Sequence, residues 1–284
     1  MNENYQPVAL VIKDWLKFAV GELKQVDIDS ARLDAEIILA HSLKKNRTYL
    51  HAHIDEILSD RTKEIADARL ALRLDHVPIA YIIGHKEFYG RKFVVTTATL
   101  IPRPESETII ELLKEVLPKK QSLFGENVTR LVDVGTGSGC LGITAKLEIP
   151  ELQVTLLDVS AQALTIAKKN ANMLKADVEL QKSNLLNDYL FTPEVIIANL
   201  PYVDPSWDRS RETDYEPGVA LFANQDGLSL IYKLIDQSEI ALKSTGILIL
   251  ESDTRQHDEI IKYASKNNFN LLKKSGFCLA FGKI

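Results

Sequence analysis

The chain has 284 residues, 45% hydrophobic and 26% charged, with a formal net charge of −5. This is the make-up of a globular protein with ample core; it excludes a low-complexity or disordered chain, and its acidic sign argues against a phosphate backbone as main partner. The start lacks the basic region and apolar stretch of a signal peptide, and no window approaches a membrane span, so a cytosolic protein is expected; a monomer is expected too, although nothing in the sequence reads out oligomeric state.

The apolar positions Val8, Val11, Ile12, Trp15, Ala19 and Leu23 predict a helix from Pro7 to Leu23, with Pro7 at its first position. A second helix begins at Asp29 or Ser30 and carries Leu33, Ile37, Ile38 and His41; a third covers 48–57 and a fourth 60–74. No strand pattern interrupts them, so residues 1–77 read as a small helical bundle. Within 78–100, Gly90 stands between two β-prone runs and predicts a hairpin linking this bundle to a larger domain at 101–284.

From residue 106 helices and strands alternate. Helices are expected at 106–117, 139–146, 161–174 and 228–242, and strands at 131–134, 154–158, 178–181, 195–199, 247–251, 270–273 and 277–281. The pattern describes an α/β fold: a mostly parallel, Rossmann-like sheet with helices on both faces, closed by an antiparallel hairpin turning at Ser275-Gly276.

The first strand of that domain runs into Asp133-Val-Gly-Thr-Gly-Ser-Gly139 and then a helix. Such a turn lets a ligand lie against bare backbone at a helix N-terminus, and Gly137-Ser-Gly139-Cys-Leu-Gly142 also satisfies the dinucleotide pattern. Asp158, 19 residues beyond Gly139, suits ribose hydroxyls in either a nicotinamide or an S-adenosylmethionine site. Asp133 favours the methyl donor, because a carboxylate there repels a pyrophosphate but balances ammonium and sulfonium charge. The plainer reading of Asp133 is a cap on the following turn.

Asn199-Leu-Pro-Tyr202 ends the fourth strand. A planar nitrogen with a delocalised lone pair must be oriented, and the positive charge developing on it stabilised. Asn199 offers a side-chain oxygen and Leu200 a carbonyl, Pro201 biases Leu200 toward extended backbone, and the Tyr202 ring can pack on a planar group. An ordinary strand-to-loop exit is the plainer alternative.

Here the sequence resembles the peptide chain release factor N(5)-glutamine methyltransferases over nearly its whole length. The resemblance rests on Leu100-Ile-Pro-Arg-Pro-Glu-Ser-Glu107, Asp133 to Gly139, Asn199 to Tyr202, Tyr215-Glu-Pro217 with Ala220-Leu221, Asp226-Gly-Leu228, and Glu251 with Gln256. Arg73, Pro78, Tyr81, Gly84, Phe88 and Val94 fit the same family's interdomain segment. It implies a helical domain engaging a class 1 release factor, whose Gly-Gly-Gln glutamine is methylated from S-adenosylmethionine, leaving S-adenosylhomocysteine. It also implies that Asp133, Gly135, Thr136, Gly137, Ser138, Gly139, Asp158, Asn184, Leu185 and Asn199 hold the cofactor, with Asn184 and Leu185 near its adenine. Asn199, Leu200, Pro201 and Tyr202 would hold the glutamine amide, Asn199 and Tyr202 as catalytic residues, with Pro102 to Glu107 near the methionine end.

The chain departs from that family at several points. Leu200 replaces a proline, which predicts a less rigid loop and a slower enzyme. Asn184 replaces an acid, and the last strand lacks the usual Asp and Arg. Asn224 and Asp253 stand where glycine is usual, so both are expected at positive φ. Cys140 and Cys278 read as reduced, apolar-lodged thiols, the lysine pairs Lys119-Lys120, Lys168-Lys169 and Lys273-Lys274 as solvated, and His51 and His53 as non-ligating; no metal is assigned. Competing readings are a ribosomal-protein glutamine methyltransferase, an adenine-N6 nucleic-acid methyltransferase, for which no basic groove is visible, and a cofactor-binding scaffold.

Overall fold

A computed structural model describes residues 10–117 and 129–284. Pro7, Val8, the amino-terminal start and Lys119-Lys120 lie outside them. Two compact units emerge: 1–84 with 211–215, and 85–210 with 216–284.

The first unit contains α1 (Ile12–Gln25), α2 (Ala31–Leu43), α3 (Arg47–Ala52), α4 (Asp60–Leu74) and α5 (Ile79–Ile83). Ile12, Trp15, Ala19 and Leu23 form the buried stripe of α1, against Ala35, Ile38 and Leu39 of α2 and Ala66 and Leu70 of α4. The Trp15 indole N–H finds Asp67 at 2.7 Å. Ser30 occupies the cap position of α2, but its hydroxyl goes to Asp34 rather than to backbone. Leu33, read as part of the α2 apolar face, is exposed. Helix α3 ends five residues short of the expected 57, because Ile57 leaves the helix to bridge Val11. Arg73 is buried, with Nε on Asp34 at 2.7 Å and Nη2 on Glu212 at 2.5 Å; the Tyr215 hydroxyl donates to the Asp75 carbonyl at 2.6 Å. These bonds explain why 211–215 belong with the helices.

The second unit opens with the hairpin β1 (His85–Phe88) and β2 (Arg91–Val94). Phe88 and Phe93 are buried in the main core, and Asn170 clamps both the N–H and the C=O of Val94. The hairpin read as a bridge therefore belongs to the larger unit, and the division falls at Gly84. There follow a 3-10 turn at Pro104–Ser106, α6 (Glu107–Val116), β3 (Thr129–Val134), α7 (Cys140–Glu148), β4 (Leu152–Asp158), α8 (Ala161–Leu174), β5 (Glu179–Lys182) and β6 (Val195–Ala198). After a long loop come α9 (Gly218–Leu221), α10 (Ser229–Ala241), β7 (Ile247–Glu251), α11 (His257–Lys266), β8 (Phe269–Ser275) and β9 (Cys278–Lys283).

The seven-stranded sheet runs β5-β4-β3-β6-β7-β9-β8, parallel except for β9, antiparallel to both its neighbours. Val195 and Ile197 face a core shared with α6, α7 and α8, while Ile196 and Ala198 face one shared with α10 and α11. That two-sided burial is why β6 reads as an unbroken apolar run. The last strand forms without the usual Asp and Arg by burying Cys278, Leu279, Ala280 and Phe281. Among the described residues no helix is long and apolar enough to cross a membrane.

Candidate functional site

Strand order reverses between β3 and β6, and in an open parallel sheet ligands settle at the carboxyl ends on either side of such a point. Register puts the chemistry there. Val134 pairs with Leu157 and with Ala198, and Ala198 with Leu250, so Asp158, Gly135, Asn199 and Glu251 are successive strand-end residues along one edge. Gly135, Asp158 and Asn199 border a cavity of about 250 Å³ walled by Thr97 to Arg103, the glycine turn, Asp158 to Ser160, Ser183 to Leu185, and Asn199 to Pro201.

The turn is bent by Gly135, Gly137 and Gly139, all at positive φ. At Gly137 a Cβ would meet no atom within 4 Å, so the backbone stands bare toward open space. The Gly137 N–H donates to Asp158 Oδ2 at 2.9 Å and the Ser160 N–H to Oδ1 at 2.8 Å, which fixes the carboxylate at the cavity wall. Burial raises the Asp158 pKa against those two bonds. Leu185 lines the same wall at φ +54°, a costly conformation for leucine, beside Asn184.

Asp133 is wholly buried and does not line the cavity. Its Oδ2 accepts the Thr136 hydroxyl at 2.6 Å and the Gly142 N–H at 2.9 Å, while Oδ1 has no partner; burial pushes its pKa up to about 6. Oδ2 thus caps the turn, while Oδ1 is left as a free buried acceptor. Gly139 is also buried, with a Cβ there meeting Ile143 at 2.7 Å, so it serves helix packing.

Asn199 donates from Nδ2 to Ser106 Oγ at 3.0 Å, leaving Oδ1 as its acceptor. Leu200 is buried, and its Cδ2 lies 2.8 Å from where a Gly135 Cβ would be, so the two motifs are packed on each other. Tyr202 does not line the cavity; its hydroxyl donates to Glu251 Oε1 at 3.0 Å, and burial, with Glu251 beside it, pushes its pKa strongly up. Its carbonyl accepts Gln256 Nε2 at 2.9 Å, and Gly227, at φ +82°, is where any Cβ would strike that carbonyl at 1.9 Å. Cys140 borders the cavity with its thiol pushed up to about 12 by burial.

Residues 14–84 match the family described as PrmC N-terminal domain, and residues 108–213 the Methyltransferase small domain. The chain is 36% identical over 249 residues to the release factor glutamine methyltransferase of Koribacter versatilis (strain Ellin345), covering 85% of this chain and 86% of the relative. It belongs to the release factor glutamine methyltransferase family. The family member of Bacillus anthracis is 32% identical, over 79% of this chain and 81% of its own. A bifunctional methyltransferase of Rickettsia bellii is 33% identical, and there the chain spans half of the relative's length. A solved methyltransferase from Pyrococcus furiosus shares the fold, with a TM-score of 0.52 at 20% identity over 76% of this chain and 97% of that one. Family membership makes this chain a methyltransferase whose methyl donor is S-adenosylmethionine.

Several family positions hold the site from outside. Glu216 is buried, its Oε2 accepting the Ile101 N–H at 3.0 Å while it ion-pairs with Arg103, which fixes the 97–103 wall. Gln256 donates to the carbonyls of both Tyr202 and Asp226, and its Oε1 accepts the Asp253 N–H. The expected positive φ at Asn224 and Asp253 is overturned: Asp253 sits at φ −63°, and left-handed backbone falls instead on Gln225, Asp226 and Gly227. Asp253 has exchanged a glycine's freedom for a capping box with Gln256. In the sequence Ser106 stood only as part of the segment Pro102 to Glu107 assigned near the methionine end; its bond to Asn199, 93 residues away, is visible only in the fold.

Proposed function

We propose that this chain methylates the side-chain amide nitrogen of a glutamine in a class 1 peptide chain release factor, the glutamine of its Gly-Gly-Gln tip. The observation that carries the reading is the meeting of the glycine turn, Asp158 and Asn199 on one cavity at the point where strand order reverses.

The residues present fit the donor. The bare backbone at Gly137 leaves room for a chain to lie along the turn, Asp158 has acceptor capacity for ribose hydroxyls, and Asp133 Oδ1 is an unpaired buried acceptor. Gly135 to Ser138, Asp158, Asn184 and Leu185 are assigned to holding it, with Asp133 and Gly139 shaping the turn beneath. When bound, S-adenosylmethionine supplies an electrophilic methyl group on a positively charged sulfur.

The rest falls to the protein. A glutamine amide nitrogen is a poor nucleophile because its lone pair is delocalised, so placement and charge stabilisation carry the catalysis. Asn199 Oδ1 and the Leu200 carbonyl accept the two amide N–H bonds, aim the lone pair and stabilise the positive charge that grows on nitrogen. No general base is needed: a methylated amide nitrogen is strongly acidic and gives its proton to water. Tyr202, outside the cavity lining, is assigned the support of the loop through Glu251. The helical unit is assigned the engagement of the release factor, and the enzyme is taken to work as a cytosolic monomer.

The test is incubation of purified protein with labelled methyl donor and a release factor, or one with its tip glutamine replaced by alanine. Label is expected on the first alone. Label retained on the alanine version, or transferred instead to a ribosomal protein or to adenine in nucleic acid, would overturn the reading.

A further inference from the structure

We infer that Ser106 and Glu251 are positioning residues that decide which end of the Asn199 amide faces the substrate, an inference that rests on the function proposed above. Asn199 is useful to a glutamine N–H only if it presents oxygen; turned over, it would present its own N–H bonds and repel the substrate.

The direction is set by a short polar chain. Asn199 Nδ2 donates to Ser106 Oγ, so the Ser106 proton is left to find an acceptor. Glu251 closes β7 beside Asn199 with an acceptor left over: Oε1 takes the Tyr202 hydroxyl, whereas Oε2 is covered and unpartnered. Ser106 bonds Asn199, which register sets beside Glu251, so the serine and the unpartnered carboxylate oxygen belong to one buried cluster; Ser106, Tyr202 and Asn199 all oppose the rise that burial imposes on the Glu251 pKa. Ser106 and Glu251 are each 2% exposed, so water does not compete.

An ionised carboxylate only accepts. It therefore draws the Ser106 O–H toward itself, turns the serine lone pairs to Asn199 Nδ2, and leaves Oδ1 for the substrate. A protonated Glu251 can donate instead; Ser106 would then donate to Asn199, and the amide would flip. The titratable groups facing Glu251 are Tyr202, Glu105 of the 3-10 turn, Cys278 of β9 and Cys140 of α7, while Arg103 and Asp253 face Tyr202. Burial and Glu105 both raise the Glu251 pKa, so turnover falls as pH drops through a value above the usual carboxylate range.

The test uses the full chain, a release factor and labelled donor between pH 5 and 8. Ser106→Ala is expected to lower kcat about 10–100-fold, the worth of one charge-linked hydrogen bond, with KM for the donor unchanged. Ser106→Thr, which keeps the hydroxyl, should recover most of the loss. Glu251→Gln should slow turnover and erase the acid limb, and the double variant should be no slower than the slower single one. Ser106→Ala and Glu251→Gln each within twofold of wild-type kcat, or an acid limb persisting in Glu251→Gln, would overturn the inference. If wild-type protein labels no release factor, the function above fails, and the relay is read without turnover from the Asn199 side-chain amide resonances. These must move with pH in wild type and stay fixed in Glu251→Gln; fixed resonances in both would overturn the relay itself.

Discussion

Replacing Gly227 by alanine isolates how the loop from Asn199 to Tyr202 is held. At φ +82° the new Cβ would lie 1.9 Å from the Tyr202 carbonyl oxygen, 2.6 Å from its carbon and 2.5 Å from Gln256 Nε2. A left-handed alanine costs roughly 1–2 kcal/mol. The carbonyl is backbone and cannot swing aside alone, so the loop must shift and the 2.9 Å bond from Gln256 is lost, adding about 1 kcal/mol. The total of about 3 kcal/mol should lower Tm by roughly 6–12 °C for a unit of this size. Gly90→Ala is the reference, since Gly90 has φ +67° with nothing within 4 Å of a Cβ and so bears the strain alone. Urea unfolding and methyl-transfer kinetics on both variants give the comparison. Gly227→Ala should also cut kcat far more than donor affinity, because the glycine turn and Asp158 are untouched. Equal stabilities within about 0.5 kcal/mol, with kcat unchanged, would refute the claim that Gly227 exists to let the Tyr202 carbonyl pass.

Three further outcomes are expected. Asp158→Asn leaves one acceptor for the two N–H groups of Gly137 and Ser160 and removes the charge; donor affinity measured by calorimetry should fall roughly tenfold or more, with a twofold change counting against the assignment. Burial holds the folded Asp133 pKa near 6, above its unfolded value of 3.8, so its contribution is fully present below pH 3.8 and is lost as pH rises through 6. Wild type should therefore lose on the order of 3 kcal/mol relative to Asp133→Asn between pH 4 and 7, and parallel stability curves would show that the carboxyl is not perturbed. Leu200→Pro stiffens the loop but removes the side chain that covers Gly135; kcat should rise while stability drops by about 1–2 kcal/mol, and an unchanged or lower kcat would refute the expectation that Leu200 slows the enzyme by loosening the loop.

Where burial pattern and capping agreed, the sequence was readable to the residue: α4, α8 and β7 begin and end where their periodicity says. Helix α11 was missed because only Ile260, Ala264 and His257 are buried along its ten residues, although Asp253 and Gln256 hold a capping-box spacing that marks its start. Helix α5 is five residues long, too short for any period to register. The glycine turn, Asp158, Asn184, Leu185 and Asn199 to Pro201 were legible as a site and do line one cavity. Asp133, Gly139 and Tyr202 do not, since they act one layer behind it, and a linear motif does not distinguish a residue that faces the cavity from one that braces it. Glu216 illustrates the limit: its partners Ile101 and Arg103 lie more than a hundred residues away, and only the fold brings them together.

Residues 211–215 carry a practical consequence. The polypeptide leaves the helical unit at Gly84, returns to it for five residues, and departs again at Glu216. No single cut therefore frees either half intact. A fragment beginning at residue 85 would drag an orphaned Glu212 and Tyr215 with it, and the complementary fragment would keep Arg73 without one of its two carboxylates. Engineers wishing to graft the larger unit onto a different helical partner would have to re-route that five-residue excursion, not merely swap the front end.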